Sequence, residues 1–165
     1  GRVLRPSAHL VLWMDKFCLV TGAWRRWLDC TIDFAAVDMI AWNAMRFGMG
    51  KRTRGTMEYL VILQKIPTRA DVWKNRSMLD LHTEQSDRDR HPHSKPYMLT
   101  DGLIRALTNK GDLVVDPCAG GYVVLEACKH TKREFVGCEL NPAYVELART
   151  RIVGAAPLFT AEAVG

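Results

Sequence analysis

LVVDPCAGGYVVLEACKHTKREFVGCEL, residues 113–140, is the stretch whose reading decides the fold. Leu113–Val115 is a short apolar run of the kind found in buried strands, and Asp116 closes it. Pro117, Cys118, Ala119, Gly120 and Gly121 then form a loop of small residues. Tyr122–Thr131 reads as a helix, and Glu134–Leu140 holds a second strand that reaches Glu139. Strand, small-residue loop, helix and strand ending on a carboxylate make a βαβ unit of the nucleotide-binding kind. At Gly120 and Gly121 bare backbone can approach a ligand where a side chain would collide. Glu139 can accept two hydrogen bonds from ribose hydroxyls.

The loop is not Gly-x-Gly-x-x-Gly, so a dinucleotide pyrophosphate fits it less well than a nucleoside with a short charged tail. S-adenosylmethionine is such a molecule, and Asp116 then faces its cationic end. The plainer reading is an ordinary βα turn of an α/β protein.

Working outward, Asn141 and Pro142 cap and open a helix through Val153. Upstream, Lys95–Asp112 carries Met98, Leu99, Leu103, Ile104 and Leu107 at helical spacing, with Pro96 early and Gly111 at the stop. His9–Asp15, Val37–Asn43 and Met57–Lys65 read as strands, the last two as antiparallel neighbours. Phe17–Asp29 reads as a helix with Leu19, Ala23, Trp24 and Trp27 on one face. Residues 44–55 form a glycine-rich basic loop. The organisation expected is one domain: a half over 1–65, an extended connection over 66–93, a second half over 94–152 and a loosely ordered tail over 153–165.

The 165 residues are enough for one domain with a core, and 48% hydrophobic with 25% charged is ordinary for a soluble protein. No apolar run is long enough to span a membrane, and the start lacks the pattern of a signal peptide. The five cysteines form no Cys-x-x-Cys pair. That spacing argues against zinc and fits a reducing cytoplasm. His91 and His93 flank a proline, and a turn with solvated imidazoles is expected there, with no metal. The net charge of +5 is concentrated in patches such as Arg25–Arg26 and Lys51, Arg52 and Arg54. Such loops attract phosphate backbones, so a nucleic acid is an expected partner of Lys51, Arg52 and Arg54, with a plain solvated surface as the alternative.

Residues 91–152 resemble the C-terminal half of DNA amino-methyltransferases, in the subgroup whose catalytic motif precedes the cofactor motif. That family's pattern is His-Pro-x-x-Lys-Pro, a helix, Gly-Asp, an apolar strand, Asp-Pro-Phe-Ala-Gly-Ser-Gly, then Gly-x-Glu-x-x-x-x-Tyr. Here His91, Pro92, Lys95, Pro96, Gly111, Asp112, Asp116, Pro117, Ala119, Gly120, Gly137, Glu139 and Tyr144 match it. RVLRPSAHLVLW near the start and DMIAWNAMRFGMGKRTRGTMEYLVILQK (residues 38–65) resemble the family's first half. The resemblance implies a Rossmann-like, S-adenosylmethionine-dependent fold, a three-layer αβα sandwich, and methyl transfer to the exocyclic amine of adenine or cytosine in DNA. It also implies a prokaryotic or phage-type setting of DNA methylation and restriction-modification. The cofactor would be held by Lys95, Pro96, Asp116, Pro117, Cys118, Ala119, Gly120, Gly121, Glu139, Leu140 and Asn141.

Two departures bear on this. Cys118, Gly121 and Tyr122 stand where the family has Phe, Ser and Gly. The catalytic Asp-Pro-Pro-Tyr is absent, because no two of the seven prolines are adjacent. That motif is expected upstream of RVLRPS, so no catalytic residue is assigned. Asp15 and Glu58 are the nearest substitutes, and both read better as structural carboxylates. Without the strand that bears the motif, the expected sheet is incomplete. Three remedies are expected: direct pairing of Leu113–Val115 with His9–Asp15, a homodimer or second chain completing the sheet, or a larger gene product. Two functions are compatible with this: a methyltransferase present as a fragment or truncated form, or an inactive module binding S-adenosylmethionine, DNA or a partner protein. A nicotinamide-dependent enzyme is a weaker third.

Overall fold

The computed structural model describes residues 3–29, 33–49 and 52–151. The tail expected over 153–165 lies outside these residues. The chain divides into two compact units, residues 1–85 and 86–165.

In the first unit, β1 (His9–Met14), β2 (Phe34–Asn43), β3 (Met57–Lys65) and β4 (Leu81–Thr83) form one sheet in the order β1-β3-β2-β4. The central strand β3 is antiparallel to both β1 and β2, with Trp13 and Ile40 both opposite Leu60. Leu60–Gln64 are all buried, which explains the unbroken apolar run: neither face of this strand meets water. On one face Val61, Leu63 and Met14 pack with Leu19, Trp24 and Leu28 from α1 (Lys16–Thr21) and α2 (Ala23–Asp29). On the other lie Leu60, Ile62, Ile40 and Trp42, with the Trp13 ring edge-on to Trp42 at 5.5 Å.

The single helix expected over Phe17–Asp29 is two. Gly22 sits in the left-handed region (φ 65°) and donates its N–H to the Leu19 carbonyl, a C-cap that turns the chain between α1 and α2. Asp15 starts α1, its carboxylate accepting the Cys18 N–H at 2.8 Å.

The expected extended connection after Lys65 is more ordered than its polarity implied. It holds a short 3-10 turn (Ala70–Val72) and β4, which pairs parallel to β2, Ala41 opposite Leu81. The Trp42 indole N–H donates to the Glu84 carbonyl at 2.8 Å, anchoring the far end. Three residues are too few to display strand alternation, so β4 left no pattern to read.

In the second unit, β5 (Leu113–Asp116) and β6 (Glu134–Gly137) pair in parallel, joined through α4 (Val123–Thr131). α3 (Tyr97–Leu107) packs on α4 through Ile104, Ala127 and Cys128, with Val114 and Phe135 beneath. α5 (Pro142–Arg151) adds Val145 and Ala148 to a second cluster with Ala119, Tyr122 and Leu125. The Arg133 guanidinium links the helix ends, donating to the Thr108 carbonyl at 2.8 Å and to the Thr131 carbonyl at 2.5 Å. Leu113, Val115 and Val136 point away from these helices and are exposed.

Direct pairing of Leu113–Val115 with His9–Asp15 does not occur. Among the described residues β1 pairs with β3, and β5 with β6. β3 is paired along both edges, and β1, β5 and β6 along one edge each among the described residues.

Gln64 offers a test of the first unit. Its buried amide donates to the carbonyls of Ser7 (3.0 Å) and Arg69 (3.1 Å) and accepts the Arg69 N–H at 2.8 Å. Gln64→Leu keeps the volume but strands these backbone groups, and should lower stability in urea by about 1–3 kcal/mol.

Candidate functional site

The ends of β5 and β6 are laced together by backbone. Cys138 N–H donates to the Asp116 carbonyl at 3.2 Å, and Ala119 N–H to the Cys138 carbonyl at 3.0 Å. The Glu139 carboxylate then bridges the loop and the next helix. Its Oε2 accepts the Gly120 N–H and its Oε1 the Asn141 N–H, both at 2.8 Å. Asn141 in turn caps α5, its Oδ1 accepting the Ala143 N–H at 3.0 Å. Each carboxylate oxygen holds two acceptor sites, so Glu139 keeps acceptor capacity after these two bonds.

Asp116 accepts the Cys118 N–H at 3.1 Å. Burial pushes its carboxyl above the ordinary aspartate range; the Cys118 N–H pulls it back, and the nearby Glu139 charge pushes it up further. Two carboxylates thus stand at neighbouring strand ends and repel one another, an arrangement complementary to a cation.

The two loop glycines meet protein rather than open space. A Cβ on Gly121 would stand 2.8 Å from Arg90 Cγ and 3.0 Å from His91 Cβ, so only glycine fits beneath that turn. A Cβ on Gly120 would lie 3.7 Å from the His91 ring. The expectation of solvated imidazoles therefore fails for His91, which is half-buried with its ring 4.5 Å from that of Tyr144. His93 is exposed as expected. Arg90, which sequence reading passed over, holds this turn in place through a 2.5 Å ion pair with Glu126. The signal available was the pairing of the His-Pro-x-x-Lys-Pro and Glu-x-x-x-x-Tyr patterns, since His91 and Tyr144 are the members that touch.

Lys95 is half-buried and Pro96 buried at the start of α3. Pro117 and Cys118 are exposed, Ala119 is buried, and Leu140 projects into solvent. Tyr122, where the family has glycine, turns its ring into the core: it is 1% exposed, packs near Phe135 and carries a φ of +57°. Its hydroxyl is buried with no hydrogen-bond partner among the described residues, and burial raises its pKa, with the Glu139 and Cys138 charges adding to it.

In the first unit Arg52 and Arg54 are exposed, while Lys51 lies outside the described residues. Glu58 stands 3.6 Å from Arg46, so with Asp15 at its helix cap both carboxylates have structural partners. No group of three or more metal-ligating side chains occurs among the described residues. No described helix is long and apolar enough to cross a membrane.

Comparison with known proteins decides the family. The DNA methylase family profile for N6 and N4 enzymes matches residues 62–150. The chain belongs to this family. It is 46% identical over 140 residues to the type II methyltransferase M.HhaII of Haemophilus parahaemolyticus, covering 84% of this chain and 61% of that protein. It is 32% identical over 92 residues to the DNA adenine methyltransferase YhdJ of Escherichia coli K12, covering 54% of this chain and 29% of the relative. The chain thus spans less than two thirds of the length of these relatives. The crystal structure of the M1.HpyAVI–SAM complex superposes with a TM-score of 0.72 at 24% identity, over 91% of this chain and 76% of that one. The cytosine-N4-specific PvuII DNA methyltransferase gives 0.71 at 17% identity, over 93% and 67%. These likenesses show a mixed α/β, Rossmann-like methyltransferase fold, present in part.

Two substitutions test the loop without any ligand. Glu139→Ala strands the Gly120 and Asn141 N–H groups and should cost about 1–3 kcal/mol in thermal or urea unfolding. Tyr122→Phe removes an unpaired buried hydroxyl and should leave stability unchanged or raise the melting temperature by a few degrees, a gain of about 1 kcal/mol.

Proposed function

We propose that this chain is the cofactor-binding and DNA-facing part of a DNA amino-methyltransferase, using S-adenosylmethionine to methylate the exocyclic amine of adenine or cytosine. The observation that carries the reading is the carboxylate pair at the β5 and β6 ends: Glu139 tied to Gly120, with Asp116 held half-buried beside it. The donor set fits that cofactor. Glu139 has acceptor capacity left for ribose hydroxyls, and Asp116 meets a cationic group with the charge that its burial leaves uncompensated. When bound, the cofactor supplies an activated methyl group. The protein's own part at this site is to grip the sugar at Glu139 and the charged tail at Asp116, with Lys95, Pro96, Cys118 and Leu140 around them. Arg52 and Arg54, with Lys51 next to them in sequence, supply positive charge toward the phosphate backbone.

An exocyclic amine is a weak nucleophile, because its lone pair is delocalised into the ring. The family answers this with an Asp-Pro-Pro-Tyr tetrapeptide, which these 165 residues do not contain. That absence favours a second reading for this stretch by itself: a module that binds cofactor and DNA, with transfer completed by further chain or by a partner copy. A tritiated-methyl assay on unmethylated DNA separates the two readings. Incorporation by the 165 residues alone points to the enzyme, and none, with cofactor bound, to the module.

Titration calorimetry with S-adenosylmethionine should show binding, weakened by Glu139→Ala by about 1–3 kcal/mol beyond any loss of folded protein. No heat from folded wild-type protein would reject the cofactor reading. Affinity should also depend on acid. The cation prefers ionised Asp116, whose pKa is raised in the free protein. Binding should therefore weaken as pH falls through that raised pKa, by up to about tenfold per unit below it, and Asp116→Asn should flatten the profile.

A further inference from the structure

We propose that Cys118 and Cys138 are a reversible thiol pair on the loop after β5, and that a peroxide closes them into a disulfide that turns the cofactor away. This rests on the cofactor reading above and adds to it a chemistry that no part of that reading uses. Cys138 bonds the backbone on both sides of Cys118. Its N–H donates to the Asp116 carbonyl at 3.2 Å, and its carbonyl accepts the Ala119 N–H at 3.0 Å. Its thiol donates to the Pro117 carbonyl at 3.0 Å. Segments bonded in this way run about 5 Å apart, and a disulfide bridges Cα atoms about 4.4–6.8 Å apart. Cys118 stands where the family has Phe, so the pair belongs to this chain rather than to the family's pattern.

The described cysteines differ in what can reach them. Cys128 is fully buried, its thiol pushed up to about 12 by burial, and Cys18 packs against the cluster around Met14. Cys118 is exposed and Cys138 half-buried. Oxidation selects thiolates that the oxidant can reach, so Cys118 meets the peroxide and Cys138 resolves it. The Cys118 thiolate takes one oxygen of hydrogen peroxide as the O–O bond breaks, giving a sulfenic acid, and the other oxygen leaves as water with the thiol's proton. The Cys138 thiolate then attacks that sulfur. The S–S bond forms, and hydroxide leaves as a second water with the second thiol proton. Two thiols lose two electrons and the peroxide gains them. The Cys118 N–H donates to the Asp116 carboxylate at 3.1 Å. Drawing Cys118 toward β6 takes that donor away and reshapes the face on which the cofactor's cationic end meets Asp116. The coupling is mutual, so bound cofactor disfavours the bridge.

Titration calorimetry and tandem mass spectrometry on the 165-residue chain test this before hydrogen peroxide, after it, and after a thiol reductant. Peroxide should give peptides linked through Cys118 and Cys138. It should also weaken S-adenosylmethionine binding by about tenfold or more, the scale of one hydrogen bond to a charged group, and the reductant should reverse both. Cys138→Ser should bind like the reduced wild type but lose the reversal, because its Cys118 goes on to sulfinic acid that the reductant does not restore. Folded, oxidised wild type without the linked peptides overturns the pair. Linked peptides with unchanged affinity overturn the switch, and either result leaves the cofactor reading intact. No heat from the reduced wild type overturns the cofactor reading and the switch together, while the linked peptides still decide the pair.

Discussion

The Glu139 carboxylate is the tie on which the loop after β5 and the start of α5 both depend. It sits at the end of β6 and reaches back to the loop after β5, taking the Gly120 N–H on one oxygen and the Asn141 N–H on the other. One acid therefore fixes the shape of the small-residue loop and the start of α5 together. Asp116 gains its place from the same lacing, since its own carbonyl accepts from Cys138. The result is a site whose two negative charges are positioned before any ligand arrives, by backbone bonds rather than by basic side chains.

Tyr122 shows how the loop tolerates a residue unlike its family's. In a left-handed conformation a residue other than glycine costs about 1 kcal/mol. Burying an aromatic ring against Phe135 and α5 more than offsets that. The ring leaves the loop's open side and joins the core, so the departure from pattern alters packing behind the site more than the site's face. Cys118, the other departure, does lie on that face, exposed between Pro117 and Ala119.

Much of this was legible in the sequence where a single element carried its own period. β3 was readable to its last residue because burial on both faces makes an unbroken apolar run. The positions of Asp116 and Glu139 at the ends of β5 and β6 were readable because the short apolar runs before them mark the strands. The failures came where contacts span distance. The fit of His91 and Arg90 over Gly121 joins residues far apart in the chain and leaves no local trace. β2 begins at Phe34 rather than Val37, because its first residues lie before a bulge between Ala36 and Asp38 that breaks the alternation. Phe17–Asp29 read as one helix, whereas the left-handed backbone at Gly22 ends one helix before the next begins.

The sheet of the first unit has a consequence for how the chain is made. β1 and β2 share no ladder; each pairs with β3, which is the last of the three to be synthesised. When the residues before Met57 have been delivered, β1 and β2 still lack the strand that each pairs with here. Ordering waits for Met57–Lys65 to clear the exit tunnel, and then closes both sides of the sheet around it at once. Nascent chains stalled before that point should be open to proteases, and those stalled well after it protected.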